Sequence, residues 1–306
     1  AMRSPPRSWS WFQRAEWKQT YMRIIENNLT NVNTLENGLL EQILSPSNLN
    51  RAFKKVRSNK GKGGVDKMEV DDLKAHLLEN RDELLRSIRD GKYRPKPVRR
   101  VEIPKENGKK RLLGIPTVMD RVVQQAIAQV LSPIYEKQFS EHSYGFRPRR
   151  NTHQALKKCK GYITEGYIYA VDMDLQQFFD TVNHSKLVEI LSRTIKDGRV
   201  ISLIHKYLHA GVVNGDKFEE TELGVPQGGP LSPLLGNIML HELDKELQRR
   251  GHRFVRYADD LMIVCKSKRS AERTLRNIIP FIEDKLFLKV NKGKTNVSNI
   301  SKTKFL

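Results

Sequence analysis

The chain has 306 residues, 38% of them hydrophobic, with 55 Lys and Arg against 35 Asp and Glu, a formal charge of +20. That length and apolar content suit a globular protein with room for two subdomains, and the cationic excess points to a polyanionic partner, because each phosphate neutralised releases condensed counterions. No apolar run approaches the roughly 18 residues of a membrane span, and Cys159 and Cys265 are too few for a disulfide framework, so the expectation is an intracellular protein without a membrane partner.

Residues 1–40 hold all three tryptophans, Trp9, Trp11 and Trp17, and read as a helical extension. Residues 39–57 have helical spacing, and Lys60-Gly61-Lys62-Gly63-Gly64 reads as a flexible basic loop. Residues 51–62 include six basic side chains and no acidic one; residues 89–111 include ten basic against three acidic. Such runs are often solvated faces, but two of them in a chain that also carries acidic strand ends favour a nucleic-acid track, with Tyr93 and Tyr144 as stacking surfaces unless they belong to the core. Thr117 to Asp120 has capping-box spacing and opens an apolar stripe through Val118, Val122, Val123, Ile127, Val130 and Leu131, so a helix is expected there.

The run from Tyr167 to Val171 is of β type and ends in Asp172 and Asp174, two acids on one strand face. A helix is expected over residues 185–195. Ser232-Pro233 reads as an N-cap with proline in the first turn, opening a helix that Gly251 stops, with Arg249 and Arg250 suited to its C-terminal dipole. Tyr257-Ala258-Asp259-Asp260 places adjacent carboxylates between two apolar runs, 254–257 and 261–264, as expected of a hairpin that projects both acids from one end of a sheet. An acidic turn is common for reasons unrelated to metals. Here a second acidic strand end lies upstream, and carboxylates converging from separate strands are what two-metal phosphoryl transfer requires. Residues 270–286 have helical periodicity, with Pro280 expected to kink or break the helix.

Five segments in this order resemble the reverse transcriptases encoded by group II introns, also called maturases. They are Arg100 to Lys105 with Lys110 to Pro116; Ser143-Tyr144-Gly145-Phe146-Arg147-Pro148; the strand ending at Asp174; Gly224-Val225-Pro226-Gln227-Gly228-Gly229-Pro230-Leu231-Ser232-Pro233-Leu234-Leu235; and Tyr257-Ala258-Asp259-Asp260. The resemblance implies an α+β fold, the right-hand polymerase fingers and palm with a helical N-terminal extension and the thumb absent. It divides the chain into 1–40, the helical extension; 41–98, an RNA-binding extension of the fingers; 99–170, the fingers; and 171–306, the palm. Lys304-Phe305-Leu306 matches the opening of the family's next block, so a fragment ending there is expected to hold the chemistry yet polymerise poorly without a thumb.

Carried over by position, the resemblance makes Asp174, Asp259 and Asp260 catalytic carboxylates that bind two Mg²⁺ ions, with Mn²⁺ as a substitute, and adds Leu175 to the metal shell. Asp172 is left structural. Lys105, Arg111, Phe179 and Gln227 bind the dNTP, with the Phe179 ring clashing with a ribose 2′-hydroxyl. Arg51, Lys54, Lys55, Arg57, Lys60, Lys62, Arg147, Gly228 and Gly229 meet template or intron RNA, the glycines because a loop without Cβ atoms can lie against the nascent base pair. The implied partners are intron RNA, primer-template and dNTP, in a bacterial cytoplasm, with a homodimer left open. Two alternatives stand beside the polymerase: an RNA-binding splicing maturase without polymerase activity of its own, and a retron-like bacterial reverse transcriptase.

Overall fold

The computed structural model describes residues 38–104 and 110–302. The tryptophan-bearing segment, Lys105 and the terminal Lys304 to Leu306 lie outside them. The helical spacing of residues 39–57 is realised as two helices, α1 (Leu39–Ile43) and α2 (Pro46–Asn59), separated because Pro46 takes the first helical position of the second. Helix α2 buries Asn48, Ala52 and Val56 and turns Lys54, Lys55 and Arg57 outward. A further helix, α3 (Leu73–Arg89), leads to the fingers strands β1 (Val98–Pro104) and β2 (Lys110–Ile115), which pair antiparallel with Arg100 opposite Gly114.

Thr117 caps α4 (Val118–Glu136) by accepting the Asp120 N–H at 3.1 Å, as its spacing implies. The reciprocal bond differs from a capping box: the Thr117 hydroxyl donates to the Asp120 carboxylate at 2.6 Å. Tyr93 also donates to that carboxylate at 2.6 Å. Burial, first, and the neighbouring Asp120 charge push the Tyr93 phenol far up. Tyr93 is therefore a packed, hydrogen-bonded residue and Tyr144 a buried one, so neither is the stacking surface considered from sequence.

The palm sheet has the order β6 (Arg253–Tyr257), β7 (Asp260–Cys265), β3 (Tyr169–Met173), β8 (Asn296–Asn299), all antiparallel. One face carries Phe254, Leu261, Ile263 and Val171 into the main core. There they meet Leu235, Ile238, Leu243 and Leu247 of α9 (Ser232–Arg249), the sixth helix after α3 once α5 (Thr152–Thr164), the short α6 (Phe178–Thr181), α7 (His184–Thr194) and α8 (Gly198–Leu208) are placed. The opposite face buries Ala170, Val255, Met262 and Val264 beneath Ala155, Cys159 and Tyr162 of α5. Strands β4 (Val212–Asn214) and β5 (Lys217–Glu219) extend the fingers sheet, β4 running parallel to β1.

Three sequence expectations are corrected. Ser232 is not the N-cap of α9: it is the first helical residue, and its hydroxyl donates to the Pro226 carbonyl at 2.6 Å, tying down the loop before it. The Lys60 to Gly64 segment is not a flexible linker, because Arg121 donates to the carbonyls of Lys60 and Lys62 and Arg99 to that of Gly63. A Cβ at Gly64 would also meet the Thr117 backbone at 2.7 Å. Pro280 does not end the helical path: it is the last α-helical residue of α10 (Lys268–Pro280), capped by Ser267, and the chain continues as a π-helical turn, Phe281–Lys285.

Candidate active site

Strands β6 and β7 are joined by a two-residue loop, Ala258-Asp259, with Tyr257 opposite Asp260. Ala258 has φ +57°, a left-handed torsion at the first loop position, where hairpins usually place glycine. On β3, Asp172 faces Met262 and Met173 faces Leu261. Continuing that register by one residue sets Asp174 beside Asp260, and because side chains alternate, Asp172, Asp174 and Asp260 share one face. Asp259 stands at the tip of the adjoining hairpin. The expected catalytic carboxylates are thus gathered at one end of the palm sheet.

Their electrostatics reflect that crowding. The Asp260 carboxyl is pushed up from its ordinary value by burial first and then by the charges of Asp259, Asp174 and Asp172, with Lys294 opposing. Asp172 is pushed up likewise by burial and by Asp174. Asp174 accepts a hydrogen bond from the Asn291 amide at 2.7 Å and faces the Lys294 ammonium at 3.4 Å, while its N–H donates to the Thr295 hydroxyl at 3.2 Å. Asn291, Lys294 and Thr295 were not singled out from sequence. Their only signal there is a polar turn, Asn291 to Thr295, after the apolar Leu286, Leu288 and Val290.

Leu175 bridges Val290, with the hydrogen bonds carried by its neighbours, Gln176 N–H to Lys289 O and Asn291 N–H to Asp174 O. In such an antiparallel pair the Leu175 carbonyl points away from that segment. Among the described residues no three His, Cys, Asp or Glu side chains converge closely enough to hold a metal alone. A hard divalent cation does not need three: one or two carboxylates, a carbonyl, water and substrate phosphates complete its shell, and the donors here are all oxygen.

Phe178 is a core residue, 3% exposed, whereas Phe179 is only partly buried. The two rings meet edge to face at 5.0 Å, and Phe179 abuts Gly236, where a Cβ would approach its ring to 3.1 Å. Of the two, Phe179 is the ring with a face to offer. The loop bearing Gln227 is fastened to the fingers, since Gly114 N–H donates to the Gln227 carbonyl at 2.6 Å. Protein contacts already demand its glycines: Gly228 has φ +122° with the Gly114 carbonyl 2.5 Å from where a Cβ would stand, and a Cβ at Gly229 would overlap Gln124. Arg111 lies in β2 opposite Ile103, so it shares the fingers hairpin to which this loop is tied.

Arg51, Lys54, Lys55, Arg57, Lys60 and Lys62 are exposed on α2 and the pinned loop after it, on different elements from the carboxylates. Arg147 departs from expectation. Its side chain is 3% exposed, and its guanidinium binds the Glu136 carboxylate at 2.7 Å and the Ser143 carbonyl at 2.7 Å while lying over the Phe139 ring. Buried and fully engaged, it cannot reach RNA; it braces the turn that carries Tyr144 and Gly145 to the catalytic hairpin.

A four-stranded antiparallel sheet with helices behind it and carboxylates at one end defines a polymerase palm, with a fingers hairpin tied to it. The chain belongs to the reverse transcriptase (RNA-dependent DNA polymerase) family, whose signature matches residues 103–306. It is 35% identical to Protein YkfC of Escherichia coli K12, over 86% of this chain and 80% of that one. It is 32% identical to the group II intron-encoded protein LtrA of Lactococcus lactis subsp. cremoris, over 91% of this chain but 57% of LtrA. Among solved structures, a partial Cas6-RT-Cas1–Cas2 complex matches 82% of this chain and 43% of its own, with 26% identity and a TM-score of 0.51. The resemblance to group II intron reverse transcriptases and the fingers-palm fold are thereby borne out. No described helix is long and apolar enough to cross a membrane. Dependence on a divalent metal belongs to the family as a whole.

Proposed function

We propose that the chain carries the nucleotidyl-transfer centre of a group II intron-encoded reverse transcriptase, copying RNA into DNA. The observation that carries this reading is the β3–β7 register, which sets Asp174 beside Asp260 and next to the Asp259 turn in a chain of that family. In the reaction the primer 3′-oxygen attacks the α-phosphorus of a dNTP, forming the new phosphodiester while the bond to pyrophosphate breaks. Asp174 and Asp259, with Asp260 and the Leu175 carbonyl beside them, would hold two Mg²⁺ ions. Bound Mg²⁺ would lower the pKa of the attacking hydroxyl and neutralise charge on the leaving pyrophosphate. Phe179 lies under the nucleotide sugar and excludes a 2′-hydroxyl, Gln227 borders the new base pair, and Lys105 and Arg111 bind the triphosphate.

Primer extension on an RNA template with dNTPs and Mg²⁺ tests the reading, beside salt-dependent RNA binding. Asp259→Ala is expected to abolish synthesis and leave RNA binding within about twofold, because its carboxylate serves metal and not phosphate. Extension at the parental rate would remove the metal assignment. A second role, binding intron RNA to assist splicing, is favoured by the exposed Lys54, Lys55, Arg57, Lys60 and Lys62. Tighter binding to intron RNA than to unrelated RNA of equal length is its test.

A further inference from the structure

The residue preceding the catalytic tetrapeptide is an arginine in the middle of the protein. Arg256 is 0% exposed and is the largest fully buried side chain among those described; its partner Asp244 on α9 is also 0% exposed. The guanidinium donates to both Asp244 oxygens, at 2.7 and 2.6 Å, to Asn237 Oδ1 at 2.9 Å, and to the carbonyl of Ala258 at 2.7 Å. Asn237 passes the chain on, its amide donating to the Gly145 carbonyl at 2.9 Å. The backbone of Arg256 is held as well, its N–H by His142 and its carbonyl by Tyr144. Gly145 closes the socket, because a Cβ there would overlap the Ala258 nitrogen.

A buried ion pair is weak grounds for a stability role, since an apolar pair of similar volume often serves the fold as well. What an apolar pair cannot do is fasten a backbone carbonyl in the turn to anchors on α9. That carbonyl belongs to the residue with the left-handed torsion, immediately before Asp259. Strained non-glycine torsions persist where surroundings over-determine them. Here the surroundings are a guanidinium on one side and Gly145 on the other.

We propose that Arg256, Asp244 and Asn237 are positioning residues that lock the Ala258-Asp259 turn, holding the Asp259 carboxylate in its place beside Asp174 and Asp260. The network acts on metal binding and on the chemical step, and leaves nucleotide affinity alone. This rests on the reading of the site as a divalent-metal polymerase centre.

The full chain with Arg256→Met and Asp244→Leu together removes the charges in balance but leaves Asn237 Oδ1 and the Ala258 carbonyl without their donor, so it is expected to melt about 3–9 °C below the parent and is assayed below that range. Mn²⁺ binding, followed by the electron paramagnetic resonance of free Mn²⁺, is expected to weaken about tenfold. In primer extension kcat should fall about 10²-fold, the cost of misplacing a reacting group by about 1 Å, with KM for dNTP unchanged. A double variant that binds Mn²⁺ and turns over as the parent does overturns the proposal. If the double variant does not melt cooperatively, Arg256→Lys decides. Its single ammonium keeps the charge opposite Asp244 but cannot span Asp244, Asn237 and Ala258 at once, so weaker Mn²⁺ binding and lower kcat support the network and parental values overturn it. A parent that binds Mn²⁺ but extends no primer removes the polymerase reading while the Mn²⁺ comparison still judges the network. A parent that does neither overturns both.

Discussion

Arg147 separates the two things an arginine in a basic chain can do. Replacing it with Met keeps most of the alkyl volume and removes the guanidinium. The carbonyls of Ser140 and Ser143 then lose the donor they share, but that of Ser140 keeps the Ser143 N–H at 3.2 Å. An unsatisfied buried acceptor costs about 1–3 kcal/mol, and the Ser143 carbonyl is the one left. Glu136 adds little, because its side chain is 29% exposed and can turn to water. With an unfolding entropy of about 2.1 cal/mol/K per residue, a chain of 306 residues shifts by roughly 1.6 °C per kcal/mol, so Arg147→Met is expected to melt about 2–5 °C below the parent. Its affinity for RNA, measured by fluorescence anisotropy at several salt concentrations below the melting range, should fall with salt along the parental slope. Loss of one phosphate contact would instead lower that slope by about 0.7–0.9. A variant of parental stability whose slope has dropped by that amount would refute the structural assignment and return Arg147 to the RNA track.

Reversal of Lys54, Lys55 and Arg57 to Glu should do the opposite, weakening RNA binding and flattening the salt slope by roughly 2–3 if all three meet phosphates, with the melting temperature little changed since all three are exposed. An unchanged slope would make α2 a solvated face. Phe179→Ala should admit ribonucleotides, read as ribonucleotide incorporation in primer extension; undiminished rejection of them would place the sugar gate elsewhere. Phe178→Ala should cost about 3–5 kcal/mol of stability, as for a buried aromatic ring, and near-parental urea unfolding would contradict its place in the core. Burial, first, holds the buried His142 and His184 below the ordinary histidine value of 6.5. Their neutral forms therefore stabilise the fold above that pH, and the contribution is lost as pH falls through the folded values, each by up to about 1.4 kcal/mol per pH unit. A urea midpoint that stays flat between pH 7.5 and 5 would contradict this.

What was legible in the sequence had local causes. The acids of Tyr257-Ala258-Asp259-Asp260 and of Asp174 announced themselves because strand alternation and a tight turn fix where neighbouring side chains point. Thr117 announced a cap because its partner is three residues away. Ser232 looked like a cap by the same rule and is not one, because its hydroxyl is taken by Pro226, and the torsions of the Gly228 loop that bring Pro226 there are set by contact with Gly114 on another strand. The Lys60 to Gly64 segment read as flexible because glycine permits flexibility; Arg99 and Arg121, distant in sequence, remove it.

The same distinction governs the charge. Composition counts every Lys and Arg alike toward a polyanionic partner, yet Arg99, Arg121, Arg147 and Arg256 spend their guanidinium groups on protein carbonyls and carboxylates. Arg99 lies in the basic run of residues 89–111 and Arg147 in the Ser143 to Pro148 segment, so the sequence directs both toward RNA; Arg121 carries no signal of its own, and Arg256 stands beside the most informative motif in the chain. An arginine suits such inward roles because its fixed fork can serve several acceptors at once, where a lysine ammonium is a single point. Net charge therefore marks the class of partner but overstates the contact count. The salt dependence of RNA binding should follow the exposed cations of α2 and its loop, and it should be insensitive to substitution of the protein-bound guanidinium groups even where that substitution slows DNA synthesis.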